Sequence, residues 1–141
     1  MTILANQTDT DGRYDLIEGT FAPGVETPVH RHTTYAEQLY VLAGEFTVRT
    51  EGGTVVLGPG QSHFIPQGIA HSVAATSPEP AKGLVVASPS GFAALIQAVG
   101  TPSDGSGNLP TSPPDLEAFM RISAEIGDEN LAPPGAPIPR V

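Results

Sequence analysis

Apolar positions between residues 13 and 89 come in short runs, each closed by glycine or proline. RYDLIEGTFAPG (13–24) reads as one strand, or two short ones, ending in a Pro-Gly turn. VETPVHRHT (25–33) is extended, because Pro28 disfavours helix at Thr27. EQLYVLAGEFTVRT (37–50) gives two strands around Ala43-Gly44-Glu45, and EGG at 51–53 turns the chain into TVVL. GPG at 58–60 makes another tight corner; SHFIP, AHSVAA and KGLVVAS then follow as strands, the last apolar enough for burial on both faces. Strands this short, at such even spacing, predict a closed barrel or sandwich.

The pattern changes after residue 89. In SGFAALIQAVG, Phe92, Leu95, Ile96 and Val99 fall at i, i+3, i+4 and i+7, which predicts a one-faced helix with Ser90 as N-cap and Gly100 as C′. TPSDGSGNLPTS (101–112) reads as a linker. PPDLEAFMRISAEIG (113–127) is a second amphipathic helix, with Leu116, Phe119, Met120 and Ser123 on one side, proline at its start and glycine at its end. The organisation predicted is a flexible arm at 1–12, a β body at 13–89, a helical segment at 90–127 and a Pro-rich tail at 128–141.

Composition narrows the class. A chain of 141 residues suits one domain, and its 16 glycines and 15 prolines fit many turns better than long helices. The net charge is −9 and the six Lys and Arg are scattered, so the basic stripe a nucleic-acid partner requires is missing. No apolar run approaches the roughly 20 residues of a membrane helix. The first residues, MTILANQTDTDGRYD, lack a charged-then-apolar signal pattern, which predicts a cytoplasmic protein. Without cysteine there is no disulfide, thiolate nucleophile or sulfur-ligated zinc, so nitrogen and oxygen must hold any metal.

Histidine is the candidate chemistry. Two of the four histidines, His30 and His32, lie one residue apart, and Glu37 follows five positions later. In a strand, residues two apart share a face, so both rings can enter one space. His71 opens a later strand directly after a Pro-x-Gly turn. Each residue alone also fits an ordinary surface or core role, and the histidine pair fits proton handling as well as metal ligation. Together, imidazole and carboxylate suit first-row divalent metals.

The glycines and prolines around these residues carry a family resemblance. Gly24 is followed after five residues by His30, then His32, Glu37 and, six residues on, Gly44. Gly60 is followed after five residues by Pro66, then Gly68 and His71, with fifteen residues between the two segments. In order and spacing this resembles both cupin motifs. Residues 90–135, with a Gly-Phe helix and then a Pro-Asp-started helix ending in glycine, are similar to the C-terminal region of single-domain bacterial cupins related to quercetin 2,3-dioxygenase. The resemblance implies an all-β fold, a small cupin barrel of jelly-roll type with two short C-terminal helices. It implies a metal held by His30, His32, Glu37 and His71. Departures stand at Ala75, where many cupins have asparagine, at Lys82 and at Ile126.

The resemblance implies a metal-dependent dioxygenase acting on a small aromatic or enolic, flavonol-like substrate, with dioxygen as co-substrate and Glu37 as both ligand and general base. Fe(II) is the first choice of metal, with Mn, Co, Ni or Zn as alternatives. A non-redox isomerase, cyclase or lyase and a non-catalytic small-molecule-binding cupin are the rival readings. Tyr35, Gln38, Phe46, His63 and Phe92 are candidate pocket residues, His63 being expected to face outward or serve structure ahead of the pocket. Similar cupins are commonly dimers, which predicts a homodimer.

Overall fold

The computed structural model describes residues 1–108 and 110–140; Leu109 of the linker and Val141 of the tail lie outside them. Among the described residues ten strands form two antiparallel five-stranded sheets. The first orders β1 (Thr2–Ala5), β2 (Asp15–Phe21), β9 (Ala81–Ser88), β4 (Ala36–Ala43) and β7 (Ser62–Ile65). The second orders β10 (Asp128–Ala132), β3 (Val29–His32), β8 (His71–Ala75), β5 (Phe46–Thr50) and β6 (Gly53–Leu57). Leu39, Val41, Ile65 and Ala81 of the first sheet meet Phe46, Val48, Leu57 and Val73 of the second in one core. The strands therefore build a jelly roll of two packed sheets. Among the described residues no ladder joins the sheets into a closed barrel.

Period-two alternation sets which side chains reach the interior. Along β4, Glu37, Leu39 and Val41 are buried while Tyr40 and Leu42 are exposed. That alternation delivers a carboxylate to the same interior face as the apolar core. Gly44 follows at φ +69°, in the left-handed region that favours glycine, and a Cβ there would stand 2.7 Å from the Ala81 Cα. The turn before β8 is fastened to the first motif, with the Gly68 N–H donating to the His32 carbonyl at 2.7 Å.

The chain ends depart from the sequence reading. Thr2–Ala5, expected as part of a flexible arm, pairs with β2 as Thr2 opposite Glu18 and Ile3 opposite Ile17. The polar stretch behind it is ordered by a short helix, α1 (Gln7–Thr10), in which Asn6 accepts from the Thr8 and Asp9 N–H groups and Asp9 accepts in turn from the Asn6 N–H. The expected tail likewise begins as β10, paired with β3 through Asp128 opposite His32 and Asn130 opposite His30. Neither pairing has a signal within its own segment, because the partner strand is distant in sequence.

The two predicted helices form as α2 (Phe92–Val99) and α3 (Leu116–Glu125). Their ends differ from expectation. Gly91, not Ser90, is the N-cap of α2, and Asp15 of β2 supplies the acceptor: its Oδ2 takes the Gly91 and Ala93 N–H groups, each at 2.9 Å. Gly100 is extended at φ −72° and so makes no left-handed cap. In α3, Asp115 caps the N-terminus, Ser123 is buried, and Leu116 and Met120 are exposed rather than packed. No helix among the described residues is long and apolar enough to cross a membrane.

Candidate metal centre

His30 and His71 are direct cross-strand partners on β3 and β8, so both rings enter the same face. His32 lies two residues along β3, and Glu37 comes across from β4 of the other sheet. The ligand atoms of these four residues all lie within 4.8 Å of one another. His32 Nε2 is 2.8 Å from Glu37 Oε2, and His71 Nε2 is 3.8 Å from the same oxygen. His32, Glu37 and His71 are buried and His30 is half-buried.

Each ring is fixed by its other nitrogen. His30 Nδ1 donates to the Pro28 carbonyl at 2.8 Å, and His71 Nδ1 donates to the Ile69 carbonyl at 2.9 Å. A carbonyl can only accept, so the proton sits on Nδ1 and the Nε2 lone pair is left for the cluster. His32 Nδ1 meets Asp128 Oδ1 at 2.6 Å, and the Tyr35 hydroxyl donates to that same oxygen at 2.8 Å. Outer partners of this kind orient metal-bound histidines.

The fit to a divalent ion rests on an orphan. His71 Nε2 is buried with no hydrogen-bond partner among the described residues. A buried nitrogen lone pair costs free energy unless something fills its coordination. With two more imidazoles and a carboxylate converging on it, a first-row divalent ion is the species that satisfies all four at once.

The electrostatics agree. Burial would raise the Glu37 carboxyl, but the hydrogen bond from His32 overrides it and holds it well below the usual carboxylate range. Burial, then the neighbouring His71 and His32 rings, lower His30 to about 4. Burial also works against charge on His32, yet its bonds to Asp128 and Glu37 win and raise it to about 9 in the metal-free protein. At about pH 7.5 the metal-free protein therefore carries a proton on His32 that an ion must displace. Loading is expected to release about one proton per ion at that pH, falling toward zero above about pH 9. Calorimetric titration in buffers of different ionisation enthalpy measures this number. The linkage runs the other way for stability: a raised histidine stabilises the metal-free fold below about 6.5 and that contribution is lost as pH rises through about 9.

The cluster opens into a cavity of about 810 Å³. His30, His32 and Glu37 line one part, and Phe21, Leu39, Phe46, Val73, Val85 and Phe92 make most of the wall. Met1 and Ile3 at the N-terminus, Leu95 and Ile96 of α2 and Phe119 of α3 close over it. No Lys or Arg lines it among the described residues.

Of the candidate pocket residues, Phe46 and Phe92 line this cavity. Tyr35 does not. It is buried behind His32, stacked on that ring at 4.2 Å, and burial together with Asp128 raises its hydroxyl, which keeps it a proton donor to Asp128. Gln38 stands opposite Phe64 on the outer face of β4, because its neighbour Glu37 takes the inner one. His63 stands opposite inward-facing Leu39, half-buried, and so shares the inner face without lining the cavity, a structural position and not the outward one. Sequence reading does not find Asp128 or Asn130. Their only signal is the register of β10 on β3, which local periodicity does not contain.

A jelly roll with three imidazoles and one carboxylate turned into its interior defines a class, the small all-β proteins whose interior offers nitrogen and oxygen ligands suited to a divalent metal. Residues 17–87, half of the chain, match the Cupin domain, and the chain belongs to that family. It is 30% identical over 124 residues to quercetin 2,3-dioxygenase of Bacillus subtilis (strain 168), an alignment covering 88% of this chain and 36% of that protein. The chain thus spans about a third of that relative's length. Among solved structures, TT1209 from Thermus thermophilus is 35% identical, with 55% of this chain and 74% of that one covered and a TM-score of 0.52. The polyketide cyclase RemF from Streptomyces resistomycificus is 32% identical, with 61% of each chain covered and a TM-score of 0.54.

Proposed function

We propose that this cupin is a metal-dependent dioxygenase of a small aromatic or enolic, flavonol-like compound. The observation that carries the reading is three histidines, each tied at Nδ1, converging with Glu37 at the edge of a largely apolar 810 Å³ cavity. The likeness to quercetin 2,3-dioxygenase supports the reaction class. A divalent ion held by His30, His32, Glu37 and His71, Fe(II) first and Mn, Co, Ni or Zn as alternatives, would supply a Lewis acid and a site for dioxygen. The chain's own residues do the remainder. Glu37, the carboxylate among the four, accepts the proton of the substrate hydroxyl. Phe46, Phe92 and Leu39 hold the ring system and exclude water from the reacting face.

Addition of quercetin and a catechol panel to Fe(II)-loaded protein is expected to consume oxygen, read with an oxygen electrode. No uptake across the panel with any of these metals would sink the reading. A second reading has its own support, because RemF, similar to this chain, is a cyclase. On that reading the same four residues hold a Lewis acid for a non-redox step, and turnover under nitrogen with zinc would establish it. We also propose a homodimer: Tyr40, Leu42 and Phe64 expose apolar surface on the outside of β4 and β7. Sedimentation equilibrium reads this directly.

A further inference from the structure

Strand β10 reaches the site by register. Asp128 is opposite His32 and Asn130 opposite His30, and residues two apart on a strand share a face. Glu129 between them turns outward to Arg31. Asn130 therefore stands on the inner side beside His30, and both line the cavity.

The carboxamide there is uncommitted. Its one side-chain hydrogen bond among the described residues is a long one, Nδ2 to the Met120 Sδ at 3.7 Å, and a thioether is a weak acceptor. Of the other polar groups lining the cavity, Ser123 Oγ of α3 also lacks a partner among the described residues, while His32 and Thr27 are engaged. His32 bonds to both Glu37 and Asp128, and Thr27 Oγ1 accepts from the Val73 N–H at 3.0 Å. In a wall made mostly of apolar side chains, a half-buried amide with free donor and acceptor capacity is a group whose partner is the ligand.

We infer that Asn130 orients the bound ligand, its carboxamide hydrogen-bonding a second ligand oxygen adjacent to the one that faces Glu37. This rests on the reading of the cluster as a metal site for a small oxygenated molecule. Asn130 makes no hydrogen bond to the four metal-site residues, so it acts on ligand affinity and leaves metal affinity alone. A ligand with two vicinal oxygens gains from it; one with a single oxygen does not.

The probes are 4-nitrocatechol, with two adjacent oxygens, and 4-nitrophenol, with one. Cobalt(II)-loaded protein is titrated with each under nitrogen, following probe absorbance, and cobalt content is measured in parallel. N130A is expected to weaken 4-nitrocatechol binding about tenfold, the loss of one hydrogen bond to the ligand, with 4-nitrophenol binding and cobalt content unchanged. N130D, which keeps the shape but repels an anionic catecholate, is expected to weaken it further. Equal 4-nitrocatechol affinity in wild type and both variants would overturn the inference and leave the metal-site reading intact. Loss of cobalt from the variants would also overturn it, by making Asn130 a support of His30. Failure of cobalt-loaded wild type to bind either probe would remove the small-molecule reading, and the inference with it.

Discussion

His71→Ala is expected to lose metal affinity by on the order of 100-fold or more, because removing one of four ligands takes a large share of the free energy that holds such an ion. His71 is fully buried, its Nδ1 is fixed by the Ile69 carbonyl and its Nε2 has no partner but the cluster. The chain provides its own control. His63 lies on β7 opposite Leu39 and outside the four-residue cluster, so H63A is expected to bind metal as the wild type does. Competitive titration of zinc against a chromophoric chelator reads both variants, with circular dichroism confirming that each is folded. Equal loss in H71A and H63A would show that the bound metal is not held by this cluster.

The convergence of His30, His32, Glu37 and His71 is legible through the resemblance to the two cupin motifs, since only the His30–His32 pair is local and Glu37 and His71 arrive from β4 and β8. His30 and His32 share a face by strand periodicity alone, and the Pro66-x-Gly68 turn fixes where His71 enters β8. The strand runs are legible locally: alternation along EQLYVLA is written in consecutive residues. What escapes is whatever depends on pairing between distant segments. Thr2–Ala5 reads as a loose arm because nothing in MTILANQ names β2 as its partner. Ser90 reads as a cap because Asp15, which takes the helix N–H groups instead, is 76 positions from Gly91. Tyr35 reads as a pocket aromatic, since its sequence context does not show that it lies behind His32 and not before it. His63, expected to face outward or serve structure, is turned inward by the register of β7 on β4 without lining the cavity.

These differences share a location. The Cupin match covers residues 17–87, yet Met1 and Ile3, the two C-terminal helices and β10 all lie beyond its limits and all line the cavity. The matched core supplies the four metal-site residues. The segments around it supply the roof and the outer partner of His32. About half of the cavity lining therefore comes from segments outside the matched domain, which the two histidine motifs do not describe.

Asp128 is where that outer layer meets the cluster, through two buried hydrogen bonds to one carboxylate oxygen. D128A is expected to weaken metal binding about 10- to 100-fold, the usual consequence of removing the group that orients a metal-bound histidine. It is also expected to destabilise the metal-free fold by about 1–3 kcal/mol for each buried group left without a partner, and two are left, His32 Nδ1 and the Tyr35 hydroxyl. D128N separates the two effects. Its amide oxygen still accepts a hydrogen bond, so much of the stability returns, while the negative charge that increases the basicity of His32 is gone and metal affinity stays below wild type. Y35F removes only the hydroxyl that braces Asp128, leaves the His32–Asp128 bond in place, and is expected to keep metal affinity near wild type with a smaller loss of stability. Urea denaturation of metal-free protein gives the stabilities and competitive zinc titration the affinities. If D128A bound zinc as tightly as wild type, the 2.6 Å contact would be a packing feature and not the device that aims His32 at the ion.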